Sequence, residues 1–305
     1  MEIKTVSIVG LGSLGIMYGN HLSKYMNKKN LRIVAENERV NRYKKDRIYC
    51  NEECCDFNYV VAKEDVNPVD LLIFAVKFND LSDAIEVVKK QVGPDTVIVS
   101  LLNGIGSEEL IGRSFGMDKV LYSVAQGMDP VKDKNKVIYH NMGLICFGGM
   151  HAGVPDSKTN AVETFFNKVH LPHEVVEDMR NKLWGKFMLN VGVNQAVTVF
   201  ECDYGGILKE GRPRDMMIAA MKEVIVLSEK ENVNLTQVDL DYWLHVLDGL
   251  NHGGKPSMRQ DIEAKRKSEV ELFSGAVLDL SKIHNMNSPV NQMFYDKIKK
   301  MESKF

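Results

Sequence analysis

No apolar run in the 305-residue sequence approaches the ~18 residues that a membrane-spanning helix needs. Charge of one sign is missing as well. The 39 basic and 41 acidic side chains leave a net −2, which supplies no electrostatic footprint for nucleic acid or an anionic membrane. Internal repeats and low-complexity tracts are absent. The five cysteines are an odd number without paired Cys-x-x-Cys spacing or histidines at ligand spacing, so no zinc site is expected. Cys50, Cys54 and Cys55 crowd into one polar segment that reads as a surface hairpin in a reducing compartment, whereas Cys146 and Cys202 read as core filler. Met1-Glu2-Ile3-Lys4 runs straight into an apolar strand pattern, so no signal peptide is expected. The expectation is a soluble cytoplasmic protein whose partner is a small molecule.

What is present is ordinary globular material: 44% hydrophobic and 26% charged residues, enough for about two domains at this length. The first half alternates β-branched runs with helical patterns, the signature of a parallel sheet covered by helices. Strands are expected at 5–9, 31–35, 71–76, 96–102, 119–126 and 137–147, a hairpin at 47–61 around Asn51-Glu52, and helices at 14–26, 81–90 and 160–168. After Pro172 strand patterns disappear, and helices are expected at 175–200, 215–231, 239–248, 257–283 and 289–301. The predicted architecture is an N-terminal Rossmann-type doubly wound α/β domain, residues 1–173, and an all-α domain, residues 174–305. Ligands often sit in a cleft between two such domains.

Gly10-Leu11-Gly12-Ser13-Leu14-Gly15 fits G-x-G-x-x-G and lies between a strand and a helix, the context that makes this spacing a dinucleotide fingerprint. Gly10 permits the tight turn, Gly12 the approach of a pyrophosphate, and Gly15 close packing of helix on strand. The N–H groups of Leu11, Ser13 and Leu14 are placed to face phosphates at a helix N-terminus. Glu36 follows Gly15 at about the 20-residue offset of the carboxylate that accepts from a ribose 2′-OH, which favours NAD. Arg39 and Arg42 lie close by and offer a pocket for a 2′-phosphate, so cofactor choice stays open. Lys77 and Asn103 end two strands of the parallel sheet, where ligands gather. Asn103-Gly104 also suits an ordinary turn.

Residues 183–200 are apolar nearly all round, yet Lys186, Asn190 and Asn194 recur at i, i+4 and i+8 on one side. A buried unpaired amide costs ~1–3 kcal/mol, so something polar should face this stripe, a narrow solvated seam being the plain alternative. A ketone accepting hydride develops negative charge on oxygen and needs a positioned acid, a task for a partly desolvated lysine, here Lys186. Asn190 and Asn194 each donate and accept, which suits a hydroxy- or keto-acid. Ser257 and Gln260 match a capping box, and the Ser257 hydroxyl would equally suit a carboxylate. Glu269 lies further along the same expected helix, where Lys265 at i−4 is its plain partner.

Together these stretches resemble the ketopantoate reductases (2-dehydropantoate 2-reductases) over nearly the whole chain. The resemblance is carried by the glycine loop, Ala75-Val76-Lys77, Leu102-Asn103-Gly104-Ile105-Gly106 and Lys182-Leu183-Trp184-Gly185-Lys186 with Asn190 and Asn194. Ser257-Met258-Arg259-Gln260-Asp261, Ser268-Glu269 and Ser288-Pro289-Val290-Asn291 complete it. It implies a helical domain like that of 6-phosphogluconate dehydrogenase. The implied activity is NADPH-dependent reduction of 2-dehydropantoate to (R)-pantoate, in pantothenate and coenzyme A synthesis. On the matching positions Lys186 would donate the proton, Asn190, Asn194, Ser257 and Asn103 would meet substrate, and Lys77, Asn103 and Glu269 would contact the cofactor or order the site. The family usually carries arginine at the end of the second strand, where this chain has Ala35-Glu36-Asn37; NADP(H) therefore follows from the resemblance and NAD(H) from Glu36. Gly254-Lys255-Pro256 also departs from the family ahead of Ser257, which keeps another 2-keto acid open as substrate. A non-catalytic NAD(P)H sensor is the reading from a different class. A homodimer is compatible with the sequence, which does not fix the oligomeric state.

Overall fold

The computed structural model describes residues 1–62, 64, 66–149, 153 and 157–305. Contacts divide the chain into two compact units, Met1–Met179 and Arg180–Phe305. Twelve strands are described in the first unit: β1 Val6–Val9, β2 Leu31–Ala35, β3 Tyr49–Cys50, β4 Glu53–Cys54, β5 Asn58–Val61 and β6 Leu71–Phe74, followed by β7 Val97–Ser100, β8 Val120–Met128, β9 Val131–Asp133, β10 Lys136–Ile138, β11 Met142–Gly148 and β12 His173–Val175. Its helices are α1 Ser13–Ser23, α2 Asn37–Asp46, α3 Leu81–Val88, α4 Ser107–Phe115 and α5 Ser157–Lys168.

Eight strands form one sheet in the order β12-β11-β8-β7-β6-β1-β2-β5. From β5 to β8 all pairings are parallel, and β11 runs antiparallel to β8. The order reverses between β1 and β6, which is the switch point of a doubly wound fold. Near-continuous apolar runs such as Leu71-Leu72-Ile73-Phe74 are buried on both faces because strand side chains alternate. Ile8, Ile33, Ile73 and Val99 pack with α1 and α5 residues including Ile16, Met17, Val162 and Phe166. Val9, Val34, Phe74 and Ile98 pack on the other face with Leu81, Ile85 and Val88 of α3 and Ile111 of α4.

The expected hairpin at 47–61 is only partly a hairpin. Asn51 and Glu52, at φ 45° and 70°, make the two-residue turn between β3 and β4. β5 instead leaves to pair in parallel with β2, because Asn58–Val61 carries the apolar content to finish that edge. β3 and β4 join β9 and β10 in a second, four-stranded sheet, ordered β4-β3-β10-β9. Cys50 and Cys55 are buried there and only Cys54 is exposed, so this segment is not simply a surface hairpin.

The second unit takes α6, Met179–Val199, from Arg180 onward. It continues with α7 Tyr204–Leu208, α8 Arg212–Lys230, α9 Gln237–Asp248, α10 Ser257–Glu263, α11 Ser274–Ile283 and α12 Pro289–Glu302. Sequence texture places the boundary near 173, whereas contacts place it between Met179 and Arg180, with β12 still paired to β11. α12 starts at proline, and Glu223 of α8 accepts from the Val290 and Asn291 N–H groups at 2.8 and 3.0 Å, satisfying donors that the helix leaves open. The single helix expected at 257–283 is broken. Lys265 takes φ 53°, the Arg266 N–H folds back to the Asp261 carbonyl, and a short 3-10 turn at Val270–Leu272 precedes α11.

In the first unit, Asp70 accepts from Lys4 N–H, Thr5 N–H and the Thr5 hydroxyl at 2.8–2.9 Å, fastening the entry of β1 to that of β6. Asp70→Ala strips three donors of their acceptor and should cost about 1–3 kcal/mol. A lowered urea midpoint at unchanged m-value is the expected result; an unchanged midpoint would contradict the account.

Candidate active site

The parallel register sets the geometry of the first half of the site. Val9 pairs with Val34 and with Phe74, and Phe74 pairs with Ser100. Gly10, Glu36, Ala75–Lys77 and the turn at Asn103 therefore all leave the sheet at one carboxyl edge, across the switch point. Gly10 has φ +96°, and a Cβ there would stand 2.6 Å from the Ala75 carbonyl oxygen and from Val76 Cγ1. A Cβ on Gly15 would collide with the Gly10 carbonyl. Both glycines are thus dictated by the protein itself. Gly12 is different: its nearest neighbour would be the Ala75 oxygen at 3.6 Å, ordinary contact, so the protein leaves space over Gly12 that a ligand can fill.

Gly12 is also the N-cap of α1 and supplies no side chain to its first turn, which holds no acidic residue. The N–H groups of Ser13 and Leu14 stay available to an anion. Beside this turn is a pocket open to solvent, lined by Gly10, Leu11, Ala35, Glu36, Arg39 and Val76 among others. These features fit the pyrophosphate and adenosine of a dinucleotide. Glu36 is exposed and forms the N-cap position of α2. Lys77 is exposed at the N-cap of the 3-10 turn Phe78–Asp80. Asn103 is half-buried in the turn after β7, next to Gly104 at φ 90°.

Under that turn lies a buried polar cluster that sequence reasoning missed. Ser100 and Ser107 hydroxyls meet at 2.8 Å, the Ser123 hydroxyl donates to the Ser100 carbonyl at 2.7 Å, and Ser107 donates to Glu108 Oε2 at 2.9 Å. Glu108 is 1% exposed, and its Oε1 meets no hydrogen-bond donor among the described residues. Burial pushes its carboxyl up to about 7, with the Glu109 charge adding to it and hydrogen bonds from backbone and Ser107 opposing.

In the second unit α6 is buried on most of its circumference, through Leu183, Trp184, Phe187, Met188, Val191 and Val197. Gly185 is required because the Trp243 indole lies against it. Along the remaining side run half-buried Lys186 and the amides of Asn190 and Asn194, each 9% exposed. Asn194 Nδ2 approaches Asn190 Oδ1 at 3.5 Å, and the Asn194 carbonyl accepts from Thr198 Oγ1 at 2.6 Å. Asn190 Nδ2 and Asn194 Oδ1 make no further hydrogen bond among the described residues, leaving one donor and one acceptor for a ligand.

The expected capping box at Ser257 does not form. Pro256 is the N-cap without a side-chain bond, Ser257 is the first helical residue, and Gln260 Nε2 donates instead to the Lys255 carbonyl at 2.9 Å. The Ser257 hydroxyl is exposed and makes no hydrogen bond among the described residues. Arg259, quoted from sequence only as part of a motif, fastens this segment to α6. It donates to the Thr198 carbonyl at 3.4 Å and pairs with Glu263 at 3.0 Å. Glu269 does not continue α10 and is not on a helix with Lys265; it is half-buried just ahead of the 3-10 turn. Its neighbour Ser268 is anchored by Glu302 of α12, which accepts from the Ser268 N–H and hydroxyl at 2.8 and 2.7 Å.

The profile described as "Ketopantoate reductase PanE/ApbA" matches residues 6–151, and that described as "Ketopantoate reductase PanE/ApbA C terminal" matches residues 178–302. A 2-dehydropantoate 2-reductase of Aquifex aeolicus is 25% identical over 300 residues, 97% of this chain and 96% of that one. D-mandelate dehydrogenase, solved with NADH and anilino(oxo)acetate, superposes with a TM-score of 0.85 at 19% identity, covering 98% of both chains. A dimeric ketopantoate reductase from Staphylococcus aureus superposes with a TM-score of 0.78 at 17% identity, covering 98% of this chain and 99% of that one.

The raised Glu108 carboxyl has a consequence for stability. Its folded value lies above its unfolded value of 4.5, so its contribution is fully present below about pH 4.5 and is lost as pH rises through about 7. Glu108→Gln should remove that decline from the pH profile of chemical unfolding between pH 4.5 and 8. Parallel profiles for the two proteins would contradict it.

Proposed function

The chain belongs to the ketopantoate reductase family, and on that premise we propose that it reduces 2-dehydropantoate to (R)-pantoate with NAD(P)H, serving pantothenate and coenzyme A synthesis. The observation that carries this reading is the α6 stripe: a lysine above two buried amides that keep one donor and one acceptor uncommitted. A helix sacrifices stability by burying such amides unless a polar ligand completes them.

When bound, the nicotinamide supplies hydride to the keto carbon. Lys186 Nζ delivers a proton to the ketone oxygen as negative charge develops there. Asn190 Nδ2 and Asn194 Oδ1 orient the acid's oxygens, and the Ser257 hydroxyl holds its carboxylate. The N–H groups of Ser13 and Leu14 take the pyrophosphate, with Gly10, Leu11, Gly12 and Gly15 shaping the turn. Glu36, Lys77 and Asn103 complete the cofactor site of the first unit; the family resemblance assigns Asn103 to substrate as well and gives Glu269 a part in ordering the site. A second reading, another 2-keto acid on the same machinery, draws support from the likeness to D-mandelate dehydrogenase and from the Gly254-Lys255-Pro256 loop. The likeness to a dimeric reductase supports a homodimer.

Lys186→Ala should lower kcat with 2-dehydropantoate by about 10²–10⁴-fold, the span of a lost general acid, while cofactor affinity is retained. Near-normal kcat in initial-rate measurements would remove Lys186 from that role.

A further inference from the structure

Ser288-Pro289-Val290-Asn291 takes no part in the chemistry proposed above, yet Asn291 is wholly buried at the start of α12, where four helices of the second unit meet. Its amide is fully engaged. Nδ2 donates to Glu223 Oε2 and to the Ala220 carbonyl of α8 at 2.7 and 3.4 Å. Oδ1 accepts from Ser274 Oγ of α11 at 3.1 Å and from Gln195 Nε2 of α6 at 3.3 Å. Gln195 is wholly buried as well. Its Nε2 also donates to the Val191 carbonyl one turn back at 2.8 Å, and its Oε1 accepts from the Ser274 N–H at 3.3 Å. One polar node thus ties α6 to α8, α11 and α12, with every side-chain nitrogen and oxygen of Gln195, Ser274 and Asn291 in use.

The node matters because of what stands beside it. Gln195 directly follows Asn194, the last amide of the polar stripe, about 100° further round the helix. The surface that α6 turns to the core is otherwise apolar, through Met188, Val191, Ala196 and Val197 among others. Apolar contact is non-directional and tolerates small rotations and slides of a helix. Hydrogen bonds fix direction. Side-chain tips lie ~5–6 Å from a helix axis, so a rotation of about 10° carries the Asn190 and Asn194 amides roughly 1 Å sideways. A displacement of that size costs about 10²-fold in a reaction that depends on alignment. For stability alone a buried amide is a liability that an apolar side chain of the same shape avoids; what a fully satisfied network adds is a unique geometry.

We infer that Gln195 and Asn291 are positioning residues of the reaction: the hydrogen bond between them, braced by Glu223 and Ser274, sets the rotation of α6 and so aims Lys186, Asn190 and Asn194 at the keto acid. Both are closed off inside the helical unit and act through the stripe, not on the ligand. This rests on the reductase reading above.

The test compares the intact protein with Gln195→Met, a near-isosteric change to a good helix former, and with Asn291→Leu. Steady-state rates are measured well below each unfolding midpoint, with the 2-keto acid that the wild type turns over. In each variant kcat/KM should fall about 10- to 100-fold, and the double variant should lose little more than the worse single, because both remove one bond. The Kd of the dinucleotide, titrated without keto acid, should stay within about twofold. Ser281→Ala is the control. Ser281 Oγ and Ser288 Oγ meet at 2.6 Å, a likewise buried bond from α11 to the start of α12 that does not reach α6. Its loss should lower the unfolding midpoint and leave kcat/KM within about twofold. A node that is only structural would lower the midpoint of every variant without changing kcat/KM below it. That result would overturn the inference, as would additive losses in the double variant; Gln195→Met alone decides the matter where Asn291→Leu does not fold. A wild-type protein that turns over no keto acid would sink the reductase reading and this inference together. An active wild type whose Gln195→Met form keeps its kcat/KM would sink the inference alone.

Discussion

The nucleotide edge of this protein depends on one backbone approach. Gly10 sits against the Ala75–Val76 peptide so closely that no side chain fits, and Gly15 sits equally close to Gly10. Together they set the turn from β1 into α1 flush with the end of β6, at the point where strand order reverses. The opening of α1 is left uncapped by any side chain. Gly12 alone has room above it. Two glycines therefore satisfy the fold, and the third leaves the room that the proposed dinucleotide would use.

The helical unit follows a different logic. α6 supplies its own core with seven or more large apolar side chains, and that burial holds the helix rigid. Rigidity is what lets a single polar line, Lys186 to Asn190 to Asn194, keep a fixed geometry. Arg259 then fixes the Ser257 segment to the carboxyl end of the same helix, and Glu302 does the equivalent for the turn before Glu269. Neither anchor is part of the reaction proposed for this site; both determine where site residues stand.

Much of this was legible in the sequence for physical reasons. Buried parallel strands read as continuous apolar runs, and Leu31–Ala35 matched its prediction residue for residue. A helix buried on most sides with polar residues at i, i+4 and i+8 was equally plain. What escaped was local structure stabilised from a distance. α2 is almost wholly polar, burying only Val40 and Tyr43, so it offered too few apolar residues to read as a helix face. β12 is three residues long and exists only because β11 is there to pair with it. The break after α10 is set by Lys265 in a left-handed conformation, which its residue type does not announce. Lys132 of β9 gave no signal either, since the Leu11 carbonyl that accepts from its Nζ lies 121 positions away.

The measurement that bears most directly on the central claim is the initial rate of NADPH and NADH oxidation by purified protein. 2-Dehydropantoate would be compared with a 2-keto acid carrying an aromatic side chain. The expected result is turnover of 2-dehydropantoate with a kcat/KM at least ~10-fold above the aromatic acid, the scale on which pocket contacts discriminate between side chains. Turnover of the aromatic acid alone would contradict the substrate assignment, and no turnover of either would contradict the reductase reading of the Lys186 stripe.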